Sequence, residues 1–255
     1  MELSGLNVLV TRPKLYGEQL SLLIRKCGGH AVSLPMIKTE VISSIQPENP
    51  VTKSRHYAGI IFVSKIAAEL GANLAKKYPL AKIYAMGEGT AKVLAKHDIV
   101  AEFASDARSE ALAELDSLKA ITGEWLLIVK GEGGRTYLKE MLESRGNTVN
   151  NVDLYRRKSL VYPNERLNNT LLNERINTVV VTSEQILRSF LYQVNYKYLK
   201  TINLIVPSQR IMYIALERKC SGVICSEGSD NNSVLNCLAN LRKALIINEK
   251  LKIYS

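Results

Sequence analysis

Short apolar runs alternate with amphipathic stretches along most of the chain. Leu6 to Thr11 is an apolar run of the length a buried strand needs. After a polar turn, Gln19 to Cys27 has helical periodicity and ends on Gly28-Gly29, a good C-terminal stop. Ala31 to Leu34 reads as the next strand. The same alternation gives strands at Gly59 to Val63, Lys82 to Met86 and Trp125 to Val129. Their helices run from Lys65 to Lys77, Gly89 to Lys96 and Arg135 to Ser144, the last ended by Gly146. Thr178 to Val181 and Asn203 to Val206 are further strands, followed by helical stretches near Glu184 to Gln193 and Gln209 to Lys219. Strands that alternate with helices of this size imply parallel sheets covered by helices.

The pattern repeats itself. Val8-Leu9-Val10-Thr11, with its turn, helix, Gly29 and Val32, is echoed by Leu127-Ile128-Val129-Lys130, a Gly-rich turn, a helix, Gly146 and Val149. Ile60-Ile61-Phe62-Val63-Ser64 matches Val179-Val180-Val181-Thr182-Ser183, and Ile83-Tyr84-Ala85-Met86-Gly87 matches Leu204-Ile205-Val206-Pro207-Ser208. The chain therefore reads first unit, second unit, first unit, second unit. Two similar domains follow, each with one copy of both units; the echo itself leaves open whether they are contiguous or one is inserted in the other.

Composition narrows the class. The 255 residues are 46% hydrophobic and 23% charged, enough for one large or two small cores. No apolar window approaches the ~20 residues that span a bilayer. The N-terminus Met1-Glu2-Leu3-Ser4-Gly5 lacks a basic stretch followed by an apolar run, so a cytoplasmic protein is expected. Cys27, Cys220, Cys225 and Cys237 form no C-x-x-C pair, and His30, His56 and His97 are scattered, so no metal site is expected. The formal net charge of +10 favours anionic partners. Basic residues are spread out apart from Arg156-Arg157-Lys158, read as a solvated edge, and no nucleic-acid-binding motif accompanies them. A small polyanion suits this distribution at least as well as nucleic acid.

Several segments carry a more specific signal. Val10-Thr11-Arg12-Pro13 follows the first strand. Phe62-Val63-Ser64, Met86-Gly87-Glu88-Gly89-Thr90-Ala91, Lys130-Gly131-Glu132-Gly133-Gly134-Arg135, Val181-Thr182-Ser183 and Pro207-Ser208-Gln209-Arg210 with Ala215 come after it. In this order and spacing, from about Leu6 to Leu241, they resemble the uroporphyrinogen-III synthases, the last segment the bacterial branch especially. Two positions depart from the family's habit: Lys130 stands where Arg is usual, keeping the charge but not the bidentate fork, and Val63 stands where Thr is usual.

The resemblance implies an α/β fold of two doubly wound parallel-sheet domains, one inserted in the other, joined by a two-stranded β-ladder. The first domain would combine residues 1–36 with 165–255, and the second would take 40–155. The crossing strands would lie near 35–41 and 152–161, segments rich in β-branched and aromatic residues.

It also implies a reaction. Hydroxymethylbilane, a linear tetrapyrrole with carboxylates on every ring, loses its terminal hydroxyl as water, inverts its last pyrrole ring and closes. The outline runs through an electrophilic azafulvene and a spiro intermediate, without a cofactor. Such a protein holds a polyanion, protonates a leaving hydroxyl and prevents closure without inversion. Helix N-termini suit the carboxylates, because their first N–H groups are unpaired and the dipole is positive there. Ser64, Gly87, Thr90, Gly131, Gly133, Gly134, Ser183 and Ser208 stand at strand-to-helix turns, where parallel sheets bind ligands; each Ser or Thr also reads as an ordinary N-cap. Arg12, Lys130 and Arg135 would add positive charge. Tyr155 resembles the family's tyrosine and is the candidate acid; a phenol, with an ordinary pKa of ~10, carries its proton at neutral pH. A cytoplasmic monomer follows, with room for transient contact with hydroxymethylbilane synthase and with no nucleic-acid or membrane partner. The alternative reading is a two-lobed binding protein for an anionic small molecule.

Overall fold

In a strand of a helix-covered parallel sheet both faces are buried, which is why the strands read as unbroken apolar runs. The computed structural model describes residues 1–42, 56–163 and 165–253; residues 43–55 of the expected second domain and 164 and 254–255 lie outside the described residues. The chain opens with β1 (Asn7–Val10), α1 (Lys14–Lys26) and β2 (His30–Ser33), then β3 (Ile37–Val41). It continues through β4 (Gly59–Phe62), α2 (Lys65–Ala75), β5 (Lys82–Ala85), α3 (Glu88–Ala95), β6 (Glu102–Phe103), α4 (Ser109–Ala113) and α5 (Asp116–Lys119). Next come β7 (Trp125–Gly131), α6 (Tyr137–Ser144) and β8 (Thr148–Ser159). The remainder is α7 (Arg166–Asn173), β9 (Thr178–Val180), α8 (Glu184–Gln193), α9 (Tyr196–Leu199), β10 (Asn203–Val206), α10 (Gln209–Glu217), β11 (Gly222–Cys225) and α11 (Asn231–Ile253).

These elements form two compact units, residues 1–38 with 158–255, and residues 39–157. The chain leaves the first along β3 and returns along β8. Leu160 N donates to Met36 O at 2.9 Å and Ile42 N to Leu154 O at 2.9 Å, so the two segments run antiparallel. β3 pairs with β8 and so is also the edge strand of the second unit's sheet.

The first unit holds a parallel sheet in the order β11-β10-β9-β1-β2. Leu9, Val179, Leu204 and Val206 point to one face, where they pack with Leu167, Phe190 and Ile211 of α7, α8 and α10. Val8, Val10, Val180 and Ile205 point to the other, against Leu20 and Ile24 of α1 and Val234 and Leu238 of α11. The second unit's sheet is β3-β8-β7-β4-β5-β6, parallel from β8 to β6. Ile60, Phe62, Leu127 and Val129 face Ala67, Ala68 and Leu94 of α2 and α3. Ile61, Tyr84, Leu126 and Ile128 face Leu112, Leu118, Leu138 and Leu142 of α4, α5 and α6. Each fully buried Val, Leu, Ile or Phe among them contributes about 1.5–3 kcal/mol.

The internal echo has a topological counterpart. Matching β7, β8, β4, β5 and β6 to β1, β2, β9, β10 and β11 turns one strand order into the other. The second unit is a circularly permuted copy of the first, and that is why the echo runs first, second, first, second along the chain.

Candidate active site

In both units helices cover both faces of the sheet and the winding reverses once, between β7 and β4 and between β1 and β9. Ligands of open parallel sheets bind at such a switch point, beyond the carboxyl ends of the strands. The sequence-derived candidates follow the carboxyl ends of these strands, some beside the switch point and some one strand away. Ser64 follows β4, Gly87 follows β5, Lys130 and Gly131 end β7, Arg12 follows β1, Ser183 follows β9 and Ser208 follows β10.

The turns share one backbone. Ser64 caps α2 with φ −160° and ψ 160°, and its Oγ accepts from Ala67 N at 3.0 Å. Ser183 caps α8 with φ −159° and ψ 160°, and its Oγ accepts from Ile186 N at 3.3 Å. Gly87 and Ser208 cap α3 and α10 in the same extended conformation but with no side-chain bond to the helix, so among the described residues the cap side chain accepts from none of the first-turn N–H groups. Thr90 is buried in the first turn of α3, where its N–H donates to Gly87 O at 2.9 Å.

In the second unit three candidates come together. The Tyr155 hydroxyl lies 3.0 Å from Ser64 Oγ. Its ring lies against the bare Cα of Gly131: a Cβ there would stand 2.5 Å from Tyr155 Cζ and 3.0 Å from its hydroxyl oxygen. Glu132 N donates to Tyr155 O at 2.7 Å, fixing the backbone of the same residue. Tyr155 is 4% exposed, so its contacts settle its position. The pairing depends on a β-bulge: Lys130 pairs with Asp153 but Gly131 with Tyr155, Leu154 being the extra residue.

The other candidates are placed differently. Gly133 and Gly134 adopt φ of 73° and 88°, where only glycine is comfortable. An added Cβ at either would meet nothing within 4 Å, so the turn needs these glycines for backbone conformation, with open space above it. Arg135 is exposed and paired with Glu110 at 2.5 Å, and that pairing holds the Glu110 carboxyl below the usual range. Lys130 is half-buried at the end of β7.

Arg12 turns inward. It is 5% exposed; Nη1 donates to Asn231 Oδ1 at 2.6 Å and Nη2 to Ser229 O at 2.6 Å and Asp230 O at 3.3 Å. Burial pushes its pKa below the ordinary value, and Asp230 opposes that shift. Asp230 itself accepts from Asn232 N at 2.9 Å and Ser233 N at 3.0 Å, at the start of α11. Arg12 thus ties the end of β1 to the loop before α11. Arg12→Ala strands those acceptors, with an expected loss of about 1.5–3 kcal/mol, the range for hydrogen bonds to a charged group. A urea unfolding midpoint that does not move would remove Arg12 from the stability of this unit.

Among the described residues, no group of three or more His, Cys, Asp or Glu could hold a metal ion, and no helix is long and apolar enough to cross a membrane.

Comparison with known proteins gives the same direction throughout. A family model described as uroporphyrinogen-III synthase HemD matches residues 18–235. The uroporphyrinogen-III synthase of Salmonella typhimurium is 27% identical over 252 residues, covering 91% of this chain and 100% of that protein. The Escherichia coli enzyme of the same name is 26% identical over 247 residues, covering 91% and 100%. Among solved structures, uroporphyrinogen-III synthetase from Helicobacter pylori shares the fold with a TM-score of 0.63 and 15% identity, covering 92% of this chain and 98% of that one. A mutant uroporphyrinogen III synthase from Thermus thermophilus shares it with a TM-score of 0.58 and 15% identity, covering 92% and 99%.

Proposed function

The chain belongs to the uroporphyrinogen-III synthase family, and from that membership we propose that it cyclises hydroxymethylbilane with inversion of the last pyrrole ring. The observation that carries the reading is the family match over residues 18–235. The placement of Tyr155, Ser64 and Gly131 together at a sheet's switch point supports it.

The reaction asks for a proton at the start and releases one at the end. In this reading the Tyr155 hydroxyl gives its proton to the departing hydroxyl, which leaves as water. The resulting azafulvene is attacked by the terminal pyrrole, rearranges through the spiro intermediate and closes. The proton lost when the last ring regains aromaticity returns to the phenolate, so the net change is loss of one water. A phenol is a weak acid, and folding the substrate supplies the rest of the rate. The uncapped first turn of α3, in the same unit as Tyr155, offers N–H groups to the substrate carboxylates. Lys130 adds charge at the end of β7. The proposal extends to a cytoplasmic monomer in transient contact with hydroxymethylbilane synthase.

The test is a product analysis. The purified chain is given freshly made hydroxymethylbilane, the product is oxidised and the porphyrin isomers are separated. Type III is expected. Only type I, at the rate of spontaneous closure, would overturn the assignment and leave the two-lobed anion-binding protein as the better reading.

A further inference from the structure

Ser64 and Ser183 are equivalent caps in the two permuted units, with the same backbone and the same bond to the third residue on. They differ in one respect: Ser64 Oγ also lies 3.0 Å from the Tyr155 hydroxyl, 91 residues away in sequence. The cap alone does not require this contact, because among the described residues Ser183 caps α8 with only its bond from Ile186 N. The same serine oxygen accepts from Ala67 N at 3.0 Å, so the cap holds the hydroxyl still while the second contact decides where the phenol proton points.

Two arrangements are open to a serine and a phenol at this distance. If the phenol donates to Ser64, its proton is directed into the protein and away from a leaving group. If Ser64 donates to the phenol oxygen, the phenol proton is left for the substrate, and the serine still donates after that proton has gone. Two effects favour the second. A hydroxyl that accepts a hydrogen bond is polarised into a better donor, and Ser64 accepts from Ala67. The N-terminus of α2 is also the positive end of its dipole, which favours a hydroxyl proton directed away from the helix.

We propose that Ser64 is a positioning residue for the reaction: it is held by the α2 cap, donates to the Tyr155 oxygen and so leaves the phenol proton free for the departing hydroxyl. This rests on the proposed function, and specifically on Tyr155 as the acid. Ser64 therefore acts through Tyr155 and not as a ligand of the substrate carboxylates.

The test is a double-mutant cycle on the full chain, read as type III formation. Ser64→Gly removes the hydroxyl but costs a helix cap little, since glycine is itself an acceptable N-cap. Its kcat is expected to fall about two- to tenfold, the equivalent of one net hydrogen bond, with KM nearly unchanged. Ser64→Thr, which keeps the hydroxyl, is expected to restore most of the loss. In a Tyr155→Phe background Ser64→Gly should change the rate less than about twofold, because the group it acts through is gone. Equal losses in both backgrounds, or a raised KM at constant kcat, would overturn the inference and make Ser64 a structural cap or a substrate ligand. A wild-type chain that makes no type III isomer would instead sink the proposed function. A fully active Tyr155→Phe would sink both the acid and this inference while leaving the overall reaction intact.

Discussion

Replacing Tyr155 by Phe is expected to lower the rate of type III formation about 10²-fold, the lower end for loss of a general acid. The change removes one oxygen and nothing else. The ring keeps its place against Gly131, and the backbone of residue 155 keeps its bond from Glu132 N. Ser64 loses one partner but retains Ala67 N, so its oxygen is not stranded. Stability should therefore hold, and a urea titration of the variant should overlay that of the native chain. Hydroxymethylbilane closes spontaneously to type I, so a slower enzyme should also release more of that isomer, and the ratio of isomers gives a second readout from the same sample. A normally folded Phe variant with the native rate and isomer ratio would exclude Tyr155 from the chemistry. The uncapped turn of α3 would then be the machinery that remains in this unit.

The fold was legible where one physical signal dominated. Asn203–Val206 and Glu184–Gln193 are strand and helix with the bounds their periodicity predicts, because both are bordered by polar turns and both bury one well-marked set of side chains. α1 begins at Lys14, well before the helix expected from Gln19. Pro13 is the earlier signal, since its fixed φ suits the start of a helix, but the polar residues and Gly17 that follow mask the periodicity. β6 is two exposed residues and could not have been seen as a run. β11 is half-buried throughout and lacks an apolar core signature. α11 carries a weak signal although Val234, Leu238 and Leu241 are spaced as one helical face; the face is narrow and the segment opens on two asparagines.

The candidate site was legible in its parts but not in its contacts. Strand-to-helix turns can be picked out because small and hydroxyl residues gather where caps form. What brings Tyr155 to Ser64 and Gly131 is the bulge at Leu154, which slips the β8 register by one residue beside β7. A slip of that kind turns side chains to the opposite face, and no local pattern in either strand announces it. Arg12 shows the converse limit. A motif arginine beside a strand end reads as a binding group, yet its direction depends on a loop more than two hundred positions along, and in the structure that loop takes its donors.

Gly131→Ala is expected to be as damaging to the reaction as Tyr155→Phe, for a steric reason and not a chemical one. A Cβ at residue 131 would stand 2.5 Å from Tyr155 Cζ and 2.6 Å from Cε2, closer than side chains tolerate. The overlap is with a ring on a strand whose backbone is bonded to Glu132 N. The ring must therefore swing away from β7, and the hydroxyl leaves Ser64 with it. Such overpacking costs about 1–3 kcal/mol, and type III formation should fall by about 10²-fold because the acid is displaced. The combinations separate the two effects. Adding Tyr155→Phe to Gly131→Ala should not slow the reaction further, because both remove the same phenol from the same place. The stability loss should persist in that double variant, because Cζ and Cε2 belong to the ring and remain in Phe. Pairing Gly131→Ala with Tyr155→Ala should instead abolish the penalty that Gly131→Ala carries in the native chain, without restoring activity. A Gly131→Ala chain with native rate and native stability would show that the ring yields freely, and that the glycine at the end of β7 is not what seats the phenol.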